Sequence, residues 1–221
     1  MANPEDYKGI VKRYLIFIEK FARFLGKLGV TPQSLTLAGL FLALVAGVFF
    51  WTGHLVIGGI FLFISGISDS LDGALARTYN KETKFGAVLD STLDRYAEFA
   101  IYLGFYGYLG HSFSNFVTLF QVVAIFALVG SVMVSYIRAR SEGIGIPCSV
   151  GFWQRPERIV ALGVGALLTG AINPLLDKIS YNYLHDFFIR IILVVLAVGT
   201  NLTALKRLFF VKKSLRIRGM K

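Results

Sequence analysis

Residues 56–110 read "VIGGIFLFISGISDSLDGALARTYNKETKFGAVLDSTLDRYAEFAIYLGFYGYLG". Val56 to Ser68 carries no charged side chain, and neither does Phe99 to Gly110. Between these apolar runs stand four aspartates: Asp69, Asp72, Asp90 and Asp94. With its flank, each run approaches the ~20 residues that a helix needs to cross a hydrocarbon core. The connecting "RTYNKETK" is short, which predicts two antiparallel neighbouring helices over 55–75 and 85–109. On the first helix Asp69, Asp72, Gly73 and Ala76 recur at steps of three and four and share a face. On the second, Gly86, Asp90 and Asp94 do the same. Those faces are expected to meet and gather four carboxylates, with small residues where a ligand must approach the backbone.

The rest of the chain is equally greasy. Of its 221 residues 55% are hydrophobic, 20 are Phe, and the mean hydropathy is +0.65. A soluble domain usually has about 45–50% apolar residues, so an all-α integral membrane protein of one domain is expected instead. A net charge of +10 would suggest nucleic acid as the partner of a soluble protein. In a membrane protein it reflects basic cytoplasmic loops and contact with anionic lipid, so membrane lipids and no nucleic acid are the expected partners. Cys148 is the sole cysteine, which excludes an internal disulfide and suits a small buried or loop thiol. The N-terminal stretch is charged and amphipathic, without the short apolar run of a cleavable signal peptide.

Six apolar segments, near 34–52, 55–75, 85–109, 116–138, 157–174 and 186–205, predict six transmembrane helices. The first hairpin turns at "WTGH", the third at "GHSFSN", and the last outside loop is "AINPLLDKISYNYLHDF". Residues 5–27 differ. Ile10, Val11, Tyr14, Phe17, Ile18, Phe21, Phe24 and Leu25 recur at helical spacing, with Lys8, Lys12, Lys20, Arg23 and Lys27 on much of the rest. Such a basic amphipathic helix lies in the membrane interface, packs on the protein's own cytoplasmic face, or does both. The expected organisation is an amphipathic juxtamembrane helix over 1–30, a six-helix catalytic domain over 31–206 and a basic cytoplasmic tail over 207–221. Lys and Arg number six before the first span, three in 77–84, four in 138–158 and seven from 206 onward. The intervening loops hold none, none and one. The positive-inside rule then puts both termini and the aspartates on the cytoplasmic side of a multi-pass cell-membrane protein.

Four bare carboxylates placed together repel one another, and divalent cations relieve that repulsion. No His or Cys joins them, since His54, His111 and His185 fall on the opposite side. An all-oxygen set suits Mg2+ or Mn2+ rather than zinc, and four carboxylates are enough to bridge two ions. Magnesium usually shares its shell with phosphate oxygens, so a phosphate or pyrophosphate substrate is expected, with Arg77 as a further anion-binding group. The bland reading, helix-end charges in solvated loops, suits one aspartate better than four on two matched faces, because carboxylates within a membrane are costly. Arg95 and Glu98 read as a mutually shielding i,i+3 pair.

The run Asp69-x2-Asp72-Gly73-x2-Ala76-Arg77-x8-Gly86-x3-Asp90-x3-Asp94 resembles the signature of the CDP-alcohol phosphatidyltransferase family at every position. That resemblance implies displacement of CMP from a CDP-linked lipid donor by an alcohol hydroxyl, and a homodimer. It implies that Asp69, Asp72 and Asp90 are metal ligands and that Asp94 is the catalytic base, also touching the second metal. It implies nucleotide and pyrophosphate contacts at Gly73 and Arg77, close approach at Ala76 and Gly86, and a hydroxyl near the donor at Thr83. Upstream, "TPQSLT" resembles the family's Pro-Asn-x-x-Thr element, with Pro32 and Thr36 matching and Gln33 standing where the family has Asn.

A second stretch, "SYIRARSEGIGIPCSVGFWQRPERI", resembles the phosphatidylinositol-phosphate synthase branch of the family and its archaeal counterparts, which use inositol phosphate. Its residues agree: Arg138, Arg140, Arg155 and Arg158 could hold a phosphate on a small phosphorylated alcohol acceptor. Plain positive-inside topology accounts for the same arginines. Glycerol phosphate or another polar alcohol as acceptor, CDP-inositol as donor, and CDP-diacylglycerol or CDP-archaeol as the lipid all fit. A divalent-cation transporter is the alternative from another class, and it would need polar residues continuing toward the far side. The third span continues instead as "FAIYLGFYGYLG".

Overall fold

The computed structural model describes residues 9–111, 117–178 and 184–217. Most of the expected "GHSFSN" turn, part of the last outside loop and both chain ends lie outside them. Among the described residues the chain is all-helical. Helix α1 covers Ile10–Lys27, α2 Pro32–Trp51, α3 Leu55–Thr78, α4 Lys84–Gly110, α5 Val117–Gly143, α6 Arg155–Lys178 and α7 Phe187–Ile217. Five of these, α2, α3, α5, α6 and α7, are long and apolar enough to cross a membrane. Helix α4 has 27 residues, but Asp90, Asp94, Arg95 and Glu98 interrupt its apolar character, so it stands apart from the five. Several helices outrun the expected spans: α3 continues to Thr78, α5 to Gly143 and α7 to Ile217. Residues 207–217, expected as a tail, therefore continue the last helix.

Local chemistry sets the boundaries near the site. Thr31 Oγ1 accepts from the Ser34 amide and Ser34 Oγ accepts from the Thr31 amide, both at 3.2 Å, so α2 begins with a reciprocal cap and Pro32 in its first turn. Gly53, at φ 83°, takes the left-handed turn between α2 and α3 that a Cβ would disfavour. Thr83 Oγ1 accepts from the Gly86 amide at 2.9 Å and caps α4.

Helix α2 packs against both α3 and α4, while α3 and α4 barely approach each other directly. The two aspartate faces meet as expected, but through their carboxylates across a gap and without close helix-to-helix packing. Small residues on α2 allow this. Gly39, Ala43, Ala46 and Gly47 are buried, and a Cβ on Gly47 would fall 2.5 Å from the Ala100 carbonyl of α4. Gly104 returns the contact against the Gly47 backbone. Below this crossing Phe50 and Phe105 stack with ring centroids 4.2 Å apart. Buried hydroxyls tie α2 to α3: Ser65 donates to the Gly39 carbonyl at 2.8 Å and Ser68 to that of Leu35 at 2.9 Å.

Helix α6 covers α3, α5 packs on α4 and α7, and α7 also meets α6. Helix α1 sits on the last turns of α3, where Ile18 and Ala22 meet Leu71, Ala74 and Leu75. Two hydroxyls pin it there: Tyr14 donates to Ser70 at 2.9 Å and Tyr79 to the Arg23 carbonyl at 3.0 Å. Phe17, Phe21 and Phe24 point away, exposed and stacked in sequence.

Candidate active site

The gap between α3 and α4 is lined by Thr36, Gly39 and Leu40 of α2, Ser65, Asp69 and Asp72 of α3, Leu93, Asp94 and Ala97 of α4, and Arg155 at the start of α6. Oxygens of Asp69, Asp72 and Asp90 all lie within 4.8 Å of one another. Asp72 is buried, and Thr36 Oγ1 donates to its Oδ2 at 2.8 Å while also reaching the Pro32 carbonyl at 3.0 Å. That bond fixes the carboxylate from α2. Asp90 Oδ1 is buried with no hydrogen-bond partner. An orphaned buried carboxylate oxygen is costly, and a cation beside it removes the cost. Three oxygen donors, one of them orphaned, with no His or Cys among them, fit a hard divalent cation.

Asp94 lies outside that group of three. It lines the same gap, and its Oδ1 accepts from Arg155 Nη2 at 2.6 Å. Arg155 Nη1 pairs with Asp69 Oδ1, so one guanidinium bridges α3 and α4 from α6. Its Nε is buried without a partner.

The remaining predicted residues separate into those at the site and those serving the helices around it. Pro32 opens α2, with Gln33 beside it. Gly73 gives room to Arg77, whose Nη1 would lie 3.2 Å from a Cβ there. Ala76 and the exposed Arg77 follow on the same helix. Thr83 and Gly86 are engaged in the α4 cap, which accounts for both residue types without a ligand.

The four arginines do not form one group. Arg138 is half exposed and donates to Glu142 at 2.8 Å, and Arg140 is exposed at the end of α5. Arg155 reaches the carboxylates. Arg158 is 2% exposed, pairs with Glu98 and donates to the Trp153 carbonyl at 2.9 Å. Burial and a dedicated carboxylate make Arg158 an internal brace in this structure.

Glu98 is the residue sequence reasoning undervalued. The expected pair with Arg95 forms, but Glu98 also holds Arg158, joining α4 to α6 directly behind Asp94. Its spacing was the available signal: Gly86, Asp90, Asp94 and Glu98 continue in four-residue steps. Ser65 and Ser68 likewise extend the face of Asp69 and Asp72 one turn back.

A strap, residues 144–154, delivers Arg155. Arg207 of α7, 2% exposed, donates from Nε to the Val150 carbonyl at 2.8 Å and from Nη1 to the Val134 carbonyl of α5 at 2.7 Å. Gly151, at φ 104°, lies against Thr203, and Trp153 fills the space that Gly199 leaves by lacking a Cβ. Ile146 and Cys148 are buried beneath.

The far end of the bundle holds a separate polar knot. Asp186 accepts from Tyr108, from Asn173 Nδ2 at 2.9 Å and from Arg190 Nη2 at 3.1 Å, tying α4, α6 and α7.

Comparison with known proteins agrees with this geometry. Residues 29–204 match the family model of CDP-alcohol phosphatidyltransferase. The chain is 32% identical over 211 residues to the archaetidylinositol phosphate synthase of Methanothermobacter thermautotrophicus, covering 96% of this chain and 95% of that one. It resembles the crystal structure of Mycobacterium tuberculosis phosphatidylinositol phosphate synthase with CDP-DAG bound, at TM-score 0.74 and 29% identity, covering 88% of this chain and 92% of that one. The same enzyme in complex with manganese and citrate gives TM-score 0.75 at 28% identity, covering 88% of each chain. These matches belong to enzymes of phospholipid synthesis and not to a transporter. With its eight-residue signature laid across α3 and α4 and the match running from α2 into α7, this chain belongs to the CDP-alcohol phosphatidyltransferase family.

Proposed function

We propose that this protein transfers a phosphatidyl-type group from a CDP-linked lipid, CDP-diacylglycerol or CDP-archaeol, to inositol phosphate with release of CMP. The observation that carries this reading is the trio Asp69, Asp72 and Asp90 within 4.8 Å, flanked in one gap by Asp94 and Arg155. Asp69, Asp72 and Asp90, with Asp94 at the edge, would hold Mg2+ or Mn2+ as one ion or two. The metal would supply positive charge against the donor's pyrophosphate and the departing CMP. Thr36 keeps Asp72 aimed into the gap by donating to its outer oxygen. Pro32, Gln33, Gly73, Ala76 and Arg77 form the donor's side, where α2 and α3 open toward the loop before α4. Thr83 and Gly86 hold that loop's exit.

Asp94 accepts the proton of the acceptor hydroxyl as its oxygen attacks the lipid-side phosphorus. The new phosphorus–oxygen bond forms as the bond to the CMP oxygen breaks. Arg155 meets the acceptor's phosphate in a charge-assisted, planar pairing. Arg138 and Arg140, exposed at the end of α5, add positive potential at the approach. Arg158 acts through the Trp153 carbonyl and Glu98, as a positioning residue.

In this reading α4 is the sixth span, both termini and the site face the cytoplasm, and α1 rests its Phe17, Phe21 and Phe24 in the interface. The donor's chains lie between helices open to the bilayer. A homodimer belongs to the reading through family resemblance.

The test is an acceptor panel. Purified protein with CDP-diacylglycerol or CDP-archaeol and Mg2+ or Mn2+ is offered inositol phosphate, glycerol phosphate, free inositol and serine, and CMP release is measured. Inositol phosphate is expected to support turnover and free inositol is not. Equal rates with inositol and inositol phosphate would overturn the phosphorylated acceptor, and preference for glycerol phosphate would reassign it. Turnover with CDP-inositol in place of the lipid would reassign the donor. Chelation with EDTA should abolish CMP release, and added Mg2+ or Mn2+ should restore it.

A further inference from the structure

Arg155 occupies a place that a phosphate-binding arginine has no need to occupy. Two of its three nitrogens are committed to carboxylates of the site, Nη1 to Asp69 and Nη2 to Asp94 at 2.6 Å. The third, Nε, is buried with no partner. Arg158, one helical turn later, also has a buried, unpartnered Nε, but it is 2% exposed and its other two nitrogens go to a carboxylate outside the trio and to a backbone carbonyl. The Arg155 side chain keeps 16% of its surface open, and both of its partners are carboxylates that line the gap. Its seat is therefore held by the negative charge of the gap itself.

Asp69 is shared. It supplies one of three mutually close carboxylate oxygens and also takes the Arg155 ion pair. A divalent cation among Asp69, Asp72 and Asp90 draws on the same negative charge that holds the guanidinium. Two cations cannot both take full advantage of one carboxylate.

We propose that Arg155 is a resident counter-ion of the carboxylate site, which a divalent cation must displace from Asp69 in order to bind. This rests on the proposed metal site, but not on the identity of the acceptor. Before loading, Arg155 offsets the mutual repulsion of the aspartates and holds α3, α4 and α6 together. After loading, its guanidinium is released for an incoming phosphate, and Asp94 loses the partner that occupies its Oδ1. Metal binding thereby frees both the phosphate-binding group and the base. By linkage, whatever anion holds Arg155 away from Asp69 tightens metal binding by the same factor.

The test measures Mn2+ binding to the full-length protein in detergent, without donor or acceptor, by the paramagnetic resonance signal of free Mn2+. Arg155→Gln removes the competing charge and is expected to bind Mn2+ more tightly, on the order of five- to tenfold. Arg155→Lys retains a cation and should stay within about twofold of the unmodified protein. The direction is diagnostic, because damage to the site weakens metal binding. Unchanged or weaker Mn2+ binding by Arg155→Gln, with Arg155→Lys behaving normally, would overturn the proposal. Equal tightening in both variants would also overturn it, since charge would then not be the cause. Failure of the phosphorylated-acceptor reading appears elsewhere, as equal CMP release with inositol and inositol phosphate, and leaves the Mn2+ result standing.

Discussion

Asp94 and Glu98 sit one turn apart on α4 and have opposite surroundings. Asp94 opens onto the gap, while Glu98 is 5% exposed and closed between Arg95 and Arg158. Asp94→Asn keeps the shape and removes the proposed proton acceptor. It should lower turnover by about 10²–10⁴-fold, the usual cost of losing a general base. Binding of CDP-diacylglycerol should persist, because Asp69, Asp72 and Asp90 remain. Near-normal CMP release by Asp94→Asn at saturating Mg2+ would remove it from the base role. Glu98→Gln should act on stability instead. It strands the buried Arg158 charge, and breaking such a pair typically costs about 3–5 kcal/mol. A depressed melting temperature in detergent, with Mn2+ affinity nearly unchanged, is the expected signature. Asp69, Asp72, Asp90 and Asp94 were legible because carboxylates within apolar runs are rare and their spacing is helical. The difference between Arg155 and Arg158 was not. Both stand at the start of the same apolar segment, and only the fold decides which one faces a gap and which one a buried glutamate.

At the scale of elements, α2 decides the geometry of the site while contributing no charged side chain. A hairpin of α3 and α4 was legible from the short connection between them. That they would stand apart was not, because repulsion between carboxylate faces says nothing about which helix takes the space. The answer lies in Gly47 and Gly104, where α2 and α4 cross with backbone against backbone. Gly47→Leu should push these helices apart, with an overpacking cost of about 1–3 kcal/mol. Because the same helix carries Thr36 to Asp72, Mn2+ affinity should fall together with the melting temperature. Tight metal binding by a destabilised Gly47→Leu protein would show that α2 does not set the spacing of the carboxylates. Helix ends were the least legible part. The charged turns of α3, α5 and α7 carry on past the apolar runs because Arg77, Arg140 and Lys212 suit a helix as well as a loop.

For the molecule as a whole, the all-helical membrane architecture was legible from composition and from the spacing of apolar runs, and α4 shows where that method thins out. Its apolar half reads as a span, and its charged half reads as a site. The skew of Lys and Arg toward one set of loops predicts the orientation, and single cysteines in place of Gly53, Ser112, Pro4 and Arg218, introduced after replacing Cys148, test it. Positions 53 and 112 should react with an impermeant thiol reagent added outside intact cells, and positions 4 and 218 should not. The reverse pattern would turn the molecule over and place the carboxylates outside. The strap over 144–154 has a consequence for how the site comes into being during synthesis. Every carboxylate of the gap has left the ribosome before α7 exists, yet the segment that delivers Arg155 is fastened by Gly199, Thr203 and Arg207 of that helix. A nascent chain that already holds its proposed metal ligands therefore still lacks a fixed Arg155. It acquires one when the last helix docks, so that assembly of the bundle, and not translation of the signature, is the moment at which the site is finished.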